Sequence, residues 1–328
     1  MSLMINKLYV YDSDTFYPFY NQAIEEYFLD SIEEKSILLY LWQNKHTIVI
    51  GRNQNAYNEC NIPLVDNDGI YLARRLSGGG AVYHDLGNLN FTFIAHKDLY
   101  DKDIQNRIIL NALNSLGIDA LISGRNDLTI EDKKFSGHAY YKKDDRMYHH
   151  GTLMLNVDFN ALNKYLNVSL LKLRDKSISS VKSRVINLKE IKNDLTIPLL
   201  KQSLINAFTD YYQKEITYYN DIDEDKLNNY LLKYENHDWR YGKLEKHQFV
   251  KESRFNWATV KLEYDLVDNI INNLVVYTDA LDVDNVSRII DEINNKNIND
   301  LKIENNDTNK DDLIKMILET YYEKSNDF

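Results

Sequence analysis

The chain has 328 residues, of which 44 % are hydrophobic and 27 % charged, and its formal net charge is −11. This length is sufficient for one large domain with its own core plus a small appendage. The negative charge argues against general nucleic-acid binding, because phosphate contacts need a positive surface. The longest apolar runs, such as Thr47–Ile50, are far too short to span a bilayer.

Cysteine usage points to a reducing compartment. The single cysteine, Cys60, cannot form an internal disulfide, and no Cys/His spacing is typical of a structural zinc site. The N-terminus has no basic region followed by an apolar stretch and a cleavage site. We therefore expect a cytoplasmic protein without a membrane association.

Hydrophobic periodicity predicts an α+β chain. The predicted strands of the first half cover 5–12, 37–43, 46–51, 70–75, 89–96, 118–123, 127–131, 134–142 and 147–157. The predicted helices of the same part and of the segment that follows cover 18–33, 103–116, 199–213 and 224–236. The tail is predicted to form strands at 255–264 and 270–278, then helices at 283–294 and 310–323.

Charge and glycine divide the chain into two parts. Residues 250–328 contain 9 Lys and Arg against 17 Asp and Glu, so most of the negative charge lies in the tail. Ten of the 11 glycines lie between Gly51 and Gly151, and glycine is needed where backbone must approach a ligand or adopt a positive φ. We expect a chemically active domain at 4–248 and a small accessory domain at 250–328.

The strongest local motif is the segment Arg74–Asp85, RRLSGGGAVYHD. Successive N–H groups of a glycine-rich turn can form a nest for an anion, and the flanking arginines could contact phosphate or carboxylate. By itself, the triple glycine fits a flexible connection at least as well. It is not a Walker loop, because no Gly-Lys-Ser/Thr follows.

Three further motifs are each weak alone. Lys133–Ala139 (KKFSGHA), preceded by Gly124–Leu128 (GRNDL), fits a solvated hairpin. His149–Leu155 (HHGTLML) fits a strand with two histidines, and Ser180–Leu188 (SVKSRVINL) fits a helix cap. Their order and spacing make them informative as a set.

Taken together, these motifs resemble those of the lipoate–protein ligase A family, within the lipoate/biotin protein ligase superfamily. Gly51–Asn55 and Gly87–Phe91 also match, and the resemblance is dense over residues 5–190 and thin through Trp239–Lys243. It implies a large mixed-sheet catalytic domain with a small α+β C-terminal accessory domain.

The resemblance also implies a reaction. Lipoate is activated by ATP to lipoyl-AMP with release of pyrophosphate, and the lipoyl group is then transferred to a lysine of a lipoyl-domain acceptor protein. ATP and lipoate are therefore the implied substrates, with Mg²⁺ as the metal. The implied acceptors are the E2 subunits of 2-oxoacid dehydrogenases and the glycine cleavage H protein.

Site residues are carried over by motif. Lys134 is the implied catalytic residue, contacting both substrates, because a fixed cation removes the repulsion between carboxylate and α-phosphate. The other implied ATP contacts are Arg75, Gly80, Ala81, Val82 and Tyr83. The other implied lipoate contacts are Gly78, Gly79, His84, Ala139 and His150. Asp127 is the implied Mg²⁺ ligand.

Some features leave alternatives open. His138 stands where relatives have a small polar residue or Asn, and it either reshapes the pocket or is neutral. The tail is either a mobile lid or a rigid appendage. A basic segment is either an ordinary solvated face or a docking surface for acidic lipoyl domains; it comprises Lys172, Arg174, Lys176, Lys182, Arg184, Lys189 and Lys192.

Other functions of the same fold make distinct predictions. An octanoyl or lipoyl transferase would use a cysteine nucleophile, but Cys60 precedes the glycine-rich turn and is distant in sequence from Lys134. A biotin ligase would carry a Gly-Arg-Gly-Arg-type loop, which this chain lacks. A non-catalytic lipoyl-binding protein would have no use for Arg75, Asp127 and Lys134 together.

Overall fold

The computed structural model describes residues 5–124, 127–167 and 184–325. The strands are β1 Lys7–Asp12, β2 Ser36–Trp42, β3 Thr47–Ile50, β4 Tyr71–Arg74, β5 Val82–His84, β6 Asn88–His96, β7 Leu121–Ser123, β8 Asp127–Ile130, β9 Lys133–Lys143, β10 Arg146–Met154, β11 Ile216–Tyr218, β12 Phe249–Arg254, β13 Thr259–Val267 and β14 Ile270–Thr278. The helices of the described ranges are α1 Pro18–Ser31, α2 Ala56–Glu59, α3 Ile62–Asn67, α4 Lys102–Ser115, α5 Phe159–Tyr165, α6 Leu188–Ile191, α7 Ile197–Tyr212, α8 Glu224–Glu235, α9 His237–Tyr241, α10 Val283–Ile293 and α11 Thr308–Ser325.

The largest sheet has eight strands in the order β11-β1-β2-β6-β10-β9-β8-β7. The pairs that β1 makes with β11 and β2 are parallel, and the remaining pairs are antiparallel. One register row crosses its centre, since Trp42 on β2 pairs with Asn90 on β6, and Asn90 pairs with Thr152 on β10. Side chains of one row point to the same face of a sheet.

Both faces of this sheet are covered, which explains why every residue of β2 is buried. Successive residues of β2 serve two cores: Leu39 and Leu41 pack with α4 and α7, whereas Tyr40 and Trp42 pack with α1 and α8. This period of two is the geometry expected of a strand. The second core lies on the same side as the glycine-rich segment.

A smaller sheet, β4-β3-β5, carries the glycine-rich segment between β4 and β5. Arg74, the last residue of β4, donates hydrogen bonds to the carbonyl oxygens of Gln54 (2.6 Å) and Trp239 (2.7 Å). The Trp239 indole donates back to the Arg74 carbonyl at 3.1 Å. These contacts hold α9 against the start of the glycine-rich segment.

The C-terminal part forms a separate antiparallel sheet, β12-β13-β14, covered by α10 and α11 around its own apolar core. The observed architecture confirms the predicted α+β fold with a large mixed sheet and a small C-terminal domain. The boundaries 4–248 and 250–328 remain a prediction. Within the described ranges, no helix is both long enough and apolar enough to cross a membrane.

Candidate functional site

A cavity of about 280 Å³ lies between the large sheet and the small sheet. Most of the predicted site residues line it, namely Arg75, Gly79, Gly80, Ala81, Val82, Tyr83, His84, Lys134, Ala139 and His150. Gly78 and Asp127 do not line it. The glycine-rich segment and the Lys134 motif, which are far apart in sequence, therefore line the same cavity.

Lys134 is held at one end of the cavity by its backbone and by an acidic neighbour. Its N–H donates to the Arg184 carbonyl (2.8 Å), and its carbonyl accepts from the Ile186 N–H (3.0 Å). Its Nζ lies 2.7 Å from Asp127 Oδ1, and the two side chains are 38 % and 35 % exposed. A Cβ at Gly137 would lie 2.9 Å from Nζ, so the ammonium group passes over that glycine.

Arg75 shapes the glycine-rich segment from within. Its Nη2 donates to the carbonyl oxygens of Gly78 (2.7 Å) and Gly80 (2.8 Å), and its Nη1 donates to that of Val49 (3.1 Å). Burial lowers the pKa of the guanidinium to about 10, so it stays charged at neutral pH. Because most of its donors are used by these carbonyl groups, Arg75 acts on the cavity mainly by fixing the loop.

Two glycines of the loop meet the C-terminal domain. The N–H of Gly79 donates to the Ala280 carbonyl at 3.1 Å, and Gly79 has a φ of +91°, which favours glycine. A Cβ at Gly78 would lie 2.1 Å from the Ala280 oxygen. Gly78 was predicted to contact lipoate, but in this structure it faces Ala280 and Leu281.

A buried hydrogen-bond chain links the loop to α1. His150 Nε2 lies 2.8 Å from Ser77 Oγ, and His150 Nδ1 lies 2.9 Å from Glu25 Oε1. Glu25 also accepts from Thr92 Oγ1 (2.7 Å), which accepts from the Trp42 indole (3.0 Å). Glu25 was not predicted as a site residue. The only indication in the sequence is that this carboxylate lies among the apolar positions of a predicted amphipathic helix.

A second chain involves the unusual His138. Its Nε2 lies 2.9 Å from Ser136 Oγ, and its Nδ1 lies 3.0 Å from His149 Nε2, whose Nδ1 is 2.9 Å from Gln105 Oε1. Burial, reinforced by the charge of Lys134, lowers the pKa of His138 to about 3. The ring is neutral at physiological pH and forms part of the cavity wall.

Amide side chains that were not predicted as site residues also line the cavity. They are Gln22 of α1 and Asn88 and Asn90 of β6, the last two within the family-matching segment Gly87–Phe91, and they line the cavity together with the predicted His84. Burial lowers the pKa of His84 to about 3, and its Nδ1 lies 3.3 Å from Asn44 Nδ2. No periodicity singles out these residues, because their convergence depends on strand register.

The side chains near Lys134 suit a metal ion only if a bound ligand supplies most of the atoms that coordinate it. Among the residues that the structure describes, no group of three or more His, Cys, Asp or Glu side chains is arranged to hold an ion. Mg²⁺ commonly uses one or two carboxylates together with water and phosphate oxygens. Asp127 therefore fits Mg²⁺ only when phosphate groups supply further ligands.

The remaining candidates from the sequence lie away from the cavity or outside the described residues. Cys60 is buried among apolar side chains, does not line the cavity, and burial raises its pKa to about 12, so it is a neutral thiol. Within the basic segment, Lys172, Arg174, Lys176 and Lys182 fall outside the described residues. At its end, Lys192 pairs with Asp194 at 3.2 Å.

The cavity thus combines a partly open slot, a glycine loop and a partly exposed ammonium group, an arrangement suited to an acyl acid next to an anionic ligand. The model of the lipoyl protein ligase A/B catalytic domain matches residues 17–209, and that of the bacterial lipoate protein ligase C-terminus matches residues 245–317. The chain belongs to the lipoyl protein ligase A/B family. This confirms the resemblance inferred from the motifs.

Individual relatives agree with this assignment. The lipoate-protein ligase A of Psychrobacter cryohalolentis is 43 % identical over 290 residues, covering 85 % of this chain and 85 % of the relative. The structure of P. falciparum LipL1 in complex with lipoate is 32 % identical, covers 95 % of this chain and 99 % of its own, and has a TM-score of 0.80. A lipoate-protein ligase A bound with ATP is 25 % identical, covers 74 % and 100 %, and has a TM-score of 0.64.

Proposed function

We propose that this chain is an ATP-dependent lipoate–protein ligase. It converts lipoate and ATP to lipoyl-AMP and pyrophosphate, and then transfers the lipoyl group to a specific lysine of a lipoyl-domain protein. The observation that carries this proposal is the position of Lys134, whose ammonium group lies beside Asp127 and lines the same cavity as the glycine loop.

In the first half-reaction, a lipoate carboxylate oxygen attacks the α-phosphorus of ATP and pyrophosphate leaves. Two anions must meet, and Lys134 supplies a compact cation that can contact both. Residues Gly79 to Tyr83 line the same cavity, which supports a role for the backbone N–H groups of this loop as donors to phosphate oxygens. Arg75 supports them by holding the carbonyl groups of Gly78 and Gly80 away from the anion.

Mg²⁺ would be held by Asp127 together with phosphate oxygens of ATP. When bound, it neutralises phosphate charge and favours departure of pyrophosphate. Asp127 also orients Lys134 through their ion pair. Because the Asp127 carboxylate would contact both Mg²⁺ and Lys134, it would keep the ammonium group close to the phosphate groups of ATP.

In the second half-reaction, the amine of an acceptor lysine attacks the lipoyl carbonyl carbon, the acyl–phosphate bond breaks and AMP leaves. The buried walls formed by His138, Ala139 and His150 shield the mixed anhydride from water until the acceptor arrives. The partial exposure of Lys134 leaves an opening at the reacting end. No covalent enzyme intermediate is needed, which agrees with the burial of Cys60.

The acceptors in this proposal are E2 subunits of 2-oxoacid dehydrogenases and the glycine cleavage H protein, encountered in the cytoplasm. Neither nucleic acid nor membrane takes part. The catalytic unit is residues 4–248, and residues 250–328 act as a mobile lid. The contacts of Ala280 with Gly78 and Gly79 support a lid that meets the phosphate-binding segment.

The test is direct. Purified chain is incubated with ATP, Mg²⁺ and lipoate, and the products are analysed for lipoyl-AMP by mass spectrometry and for pyrophosphate. Addition of a lipoyl domain should then add one lipoyl group to one lysine and release one AMP for each group transferred. Absence of lipoate-dependent pyrophosphate release would contradict the proposal and favour a non-catalytic lipoyl-binding protein.

A further inference from the structure

The buried hydrogen-bond chain between the glycine-rich segment and α1 has a group that can only donate at each of its two ends. At one end, Arg75 Nε donates to Ser77 Oγ at 3.1 Å, and Ser77 Oγ lies 2.8 Å from His150 Nε2. At the other end, the Trp42 indole donates to Thr92 Oγ1 at 3.0 Å. Neither a guanidinium group nor an indole N–H can accept a hydrogen bond. These two groups therefore fix the direction of the hydrogen bonds between them.

The Arg75 end determines the tautomer of His150. Because Ser77 Oγ accepts from Arg75, the Ser77 proton is left for His150 Nε2, which must accept it. The Tyr148 hydroxyl makes no hydrogen bond among the described residues, so it does not take this proton. A proton on His150 Nε2 would leave the fully buried Ser77 hydroxyl with an unused donor, which is costly. His150 is therefore the neutral tautomer that carries its proton on Nδ1.

Both ends of the chain meet at one oxygen atom of Glu25. His150 Nδ1–H donates to Glu25 Oε1 at 2.9 Å. Thr92 Oγ1 accepts from Trp42, so its own proton goes to the same Oε1, at 2.7 Å. Glu25 is 1 % exposed and does not line the cavity, whereas His150 does. The Glu25 carboxylate is therefore placed to act on the site through His150.

The same chain joins a buried cation to a buried carboxylate. The guanidinium of Arg75 donates to carbonyl oxygens and to Ser77 Oγ, and within the described ranges it makes no direct ion pair. Burial lowers its pKa to about 10, and the charge of Glu25 is among the influences that counter this. A buried charge is costly unless other groups compensate it. The hydrogen bonds through Ser77 and His150 therefore connect Arg75 to a carboxylate that helps to keep it charged.

We propose that Glu25 is a positioning residue for adenylation, which holds His150 as the Nδ1–H tautomer so that His150 holds Ser77 at the start of the glycine-rich segment. The kinetic consequence rests on the proposed ligase function, whereas the tautomer does not. The N–H groups proposed to bind phosphate begin at Gly79, two residues after Ser77. A displaced Ser77 would shift these donors, so loss of the Glu25 carboxylate should act mainly on the use of ATP.

The tautomer is measured by ¹⁵N NMR of the histidine rings in the full chain, with the His150 signals assigned by their loss in His150→Gln. In the wild type we expect a protonated Nδ1 and an unprotonated Nε2. In Glu25→Leu, Nδ1 loses its acceptor and the proton should move to Nε2. In Glu25→Gln, the amide oxygen can replace Oε1, so the proton should stay on Nδ1. A wild-type ring protonated at Nε2, or a tautomer that Glu25→Leu leaves unchanged, would overturn the inference.

The kinetic test is the kcat/KM for ATP in lipoate-dependent pyrophosphate release. Glu25→Leu should lower it by about tenfold or more, chiefly through the KM for ATP, since small displacements of binding groups are costly. Glu25→Gln should restore it to within about threefold of the wild type. Glu26→Leu is the matched control, because Glu26 is buried on the same helix but pairs with Lys233 at 2.7 Å and does not line the cavity. It should lower the Tm and leave kcat/KM within about twofold of the wild type.

Ser77→Ala tests the connection itself, since it removes the link and leaves the contact of Glu25 with His150 in place. Glu25→Leu made in the Ser77→Ala background should lower kcat/KM by less than about twofold further, and full additivity of the two changes would overturn the inference. Circular dichroism establishes that the variants fold; if Glu25→Leu does not, the wild-type tautomer and the KM of Ser77→Ala for ATP decide. If the wild type releases no pyrophosphate, the proposed function fails, and the tautomers of the wild type and of Glu25→Leu decide this inference by themselves.

Discussion

The ammonium of Lys134 and the carboxylate of Asp127 are 2.7 Å apart, at an end of the cavity where both side chains are partly exposed. The pair comes from adjacent antiparallel strands, β9 and β8, with a register shift between them next to Leu128. It therefore places one positive and one negative group side by side where an acid, a nucleotide and a metal ion would converge.

Removal of the Lys134 ammonium should abolish most adenylation. Lys134→Ala is expected to raise the barrier by about 3–5 kcal/mol, comparable to the loss of a main oxyanion contact. Lipoate-dependent pyrophosphate release measures this effect. Lys133→Ala, one residue earlier on β9 and not part of the cavity lining, should retain a near-normal rate. A folded Lys134→Ala variant with a normal rate of pyrophosphate release would show that Lys134 is not needed for adenylation.

Neutralisation of Asp127 should weaken metal use. In Asp127→Asn, the Mg²⁺ concentration needed for half-maximal pyrophosphate release is expected to rise several-fold, roughly 3- to 10-fold, because a carboxylate ligand is lost. Asp132→Asn is the control, since Asp132 lies in the exposed turn between β8 and β9. An unchanged Mg²⁺ dependence with a reduced rate would limit Asp127 to orienting Lys134.

A methyl group at Gly78 should push the C-terminal domain from the loop. The Cβ of Gly78→Ala would lie 2.1 Å from the Ala280 oxygen, and overpacking of this kind typically costs about 1–3 kcal/mol. Limited proteolysis and thermal unfolding would reveal the released domain. Gly80→Ala meets no heavy atom within 4 Å and should behave like the wild type in both measurements.

Acid should destabilise the fold through its buried histidines. Burial lowers the pKa of His84 and of His138 to about 3, whereas an unfolded histidine titrates near 6.5. As the pH falls from about 6.5 toward 3, the unfolded state binds protons that the folded state does not, so each histidine lowers the free energy of unfolding by up to about 1.4 kcal/mol per pH unit.

Urea unfolding at a series of pH values would measure this dependence. His138→Asn should reduce the slope of the unfolding free energy against pH by about the contribution of one histidine. Replacement of the exposed His237 by Asn should leave this slope unchanged. A stability that is flat between about pH 6.5 and pH 5 would mean that these rings reach solvent in the folded protein.

Loss of the Cys60 thiol should leave catalysis intact. Cys60→Ser is expected to lower stability by about 1 kcal/mol, because a buried hydroxyl gains no assured partner, and to retain the full rate with one AMP formed per lipoyl transfer. Acyl transfer that disappears with the thiol would instead favour the cysteine-dependent transferase.

Much of the fold was predictable where local signals were strong. The helix predicted at 103–116 is Lys102–Ser115, with Asp101 as its N-cap and a positive φ at Gly117. The strand predicted at 255–264 was displaced, since β13 is Thr259–Val267. Phe255 and Trp257 read as strand residues, but they stack on each other in the turn before β13, at 5.8 Å.

The site was predictable only where residues are neighbours in sequence. The glycine loop and Lys134 lie in compact motifs that stand out in the sequence, and both line the cavity. Gln22 and Trp42 line the cavity from α1 and β2, and Glu25 contacts the cavity residue His150. The position of Trp42 relative to the cavity depends on how β2 pairs with β6. A single sequence contains no register between strands, so the convergence of these side chains on the cavity could not be inferred from it.

The single backbone N–H of Gly79 donates its hydrogen bond to the Ala280 carbonyl. If a phosphate oxygen of the proposed ATP accepted from this N–H, it would have to displace the Ala280 carbonyl, and nucleotide would then compete with the C-terminal domain for this donor. Competition of this kind is reciprocal. A change that weakens the contact of the domain with the loop, even one far from the cavity in the domain's own core, would then raise the affinity for nucleotide, and bound nucleotide would in turn weaken that contact.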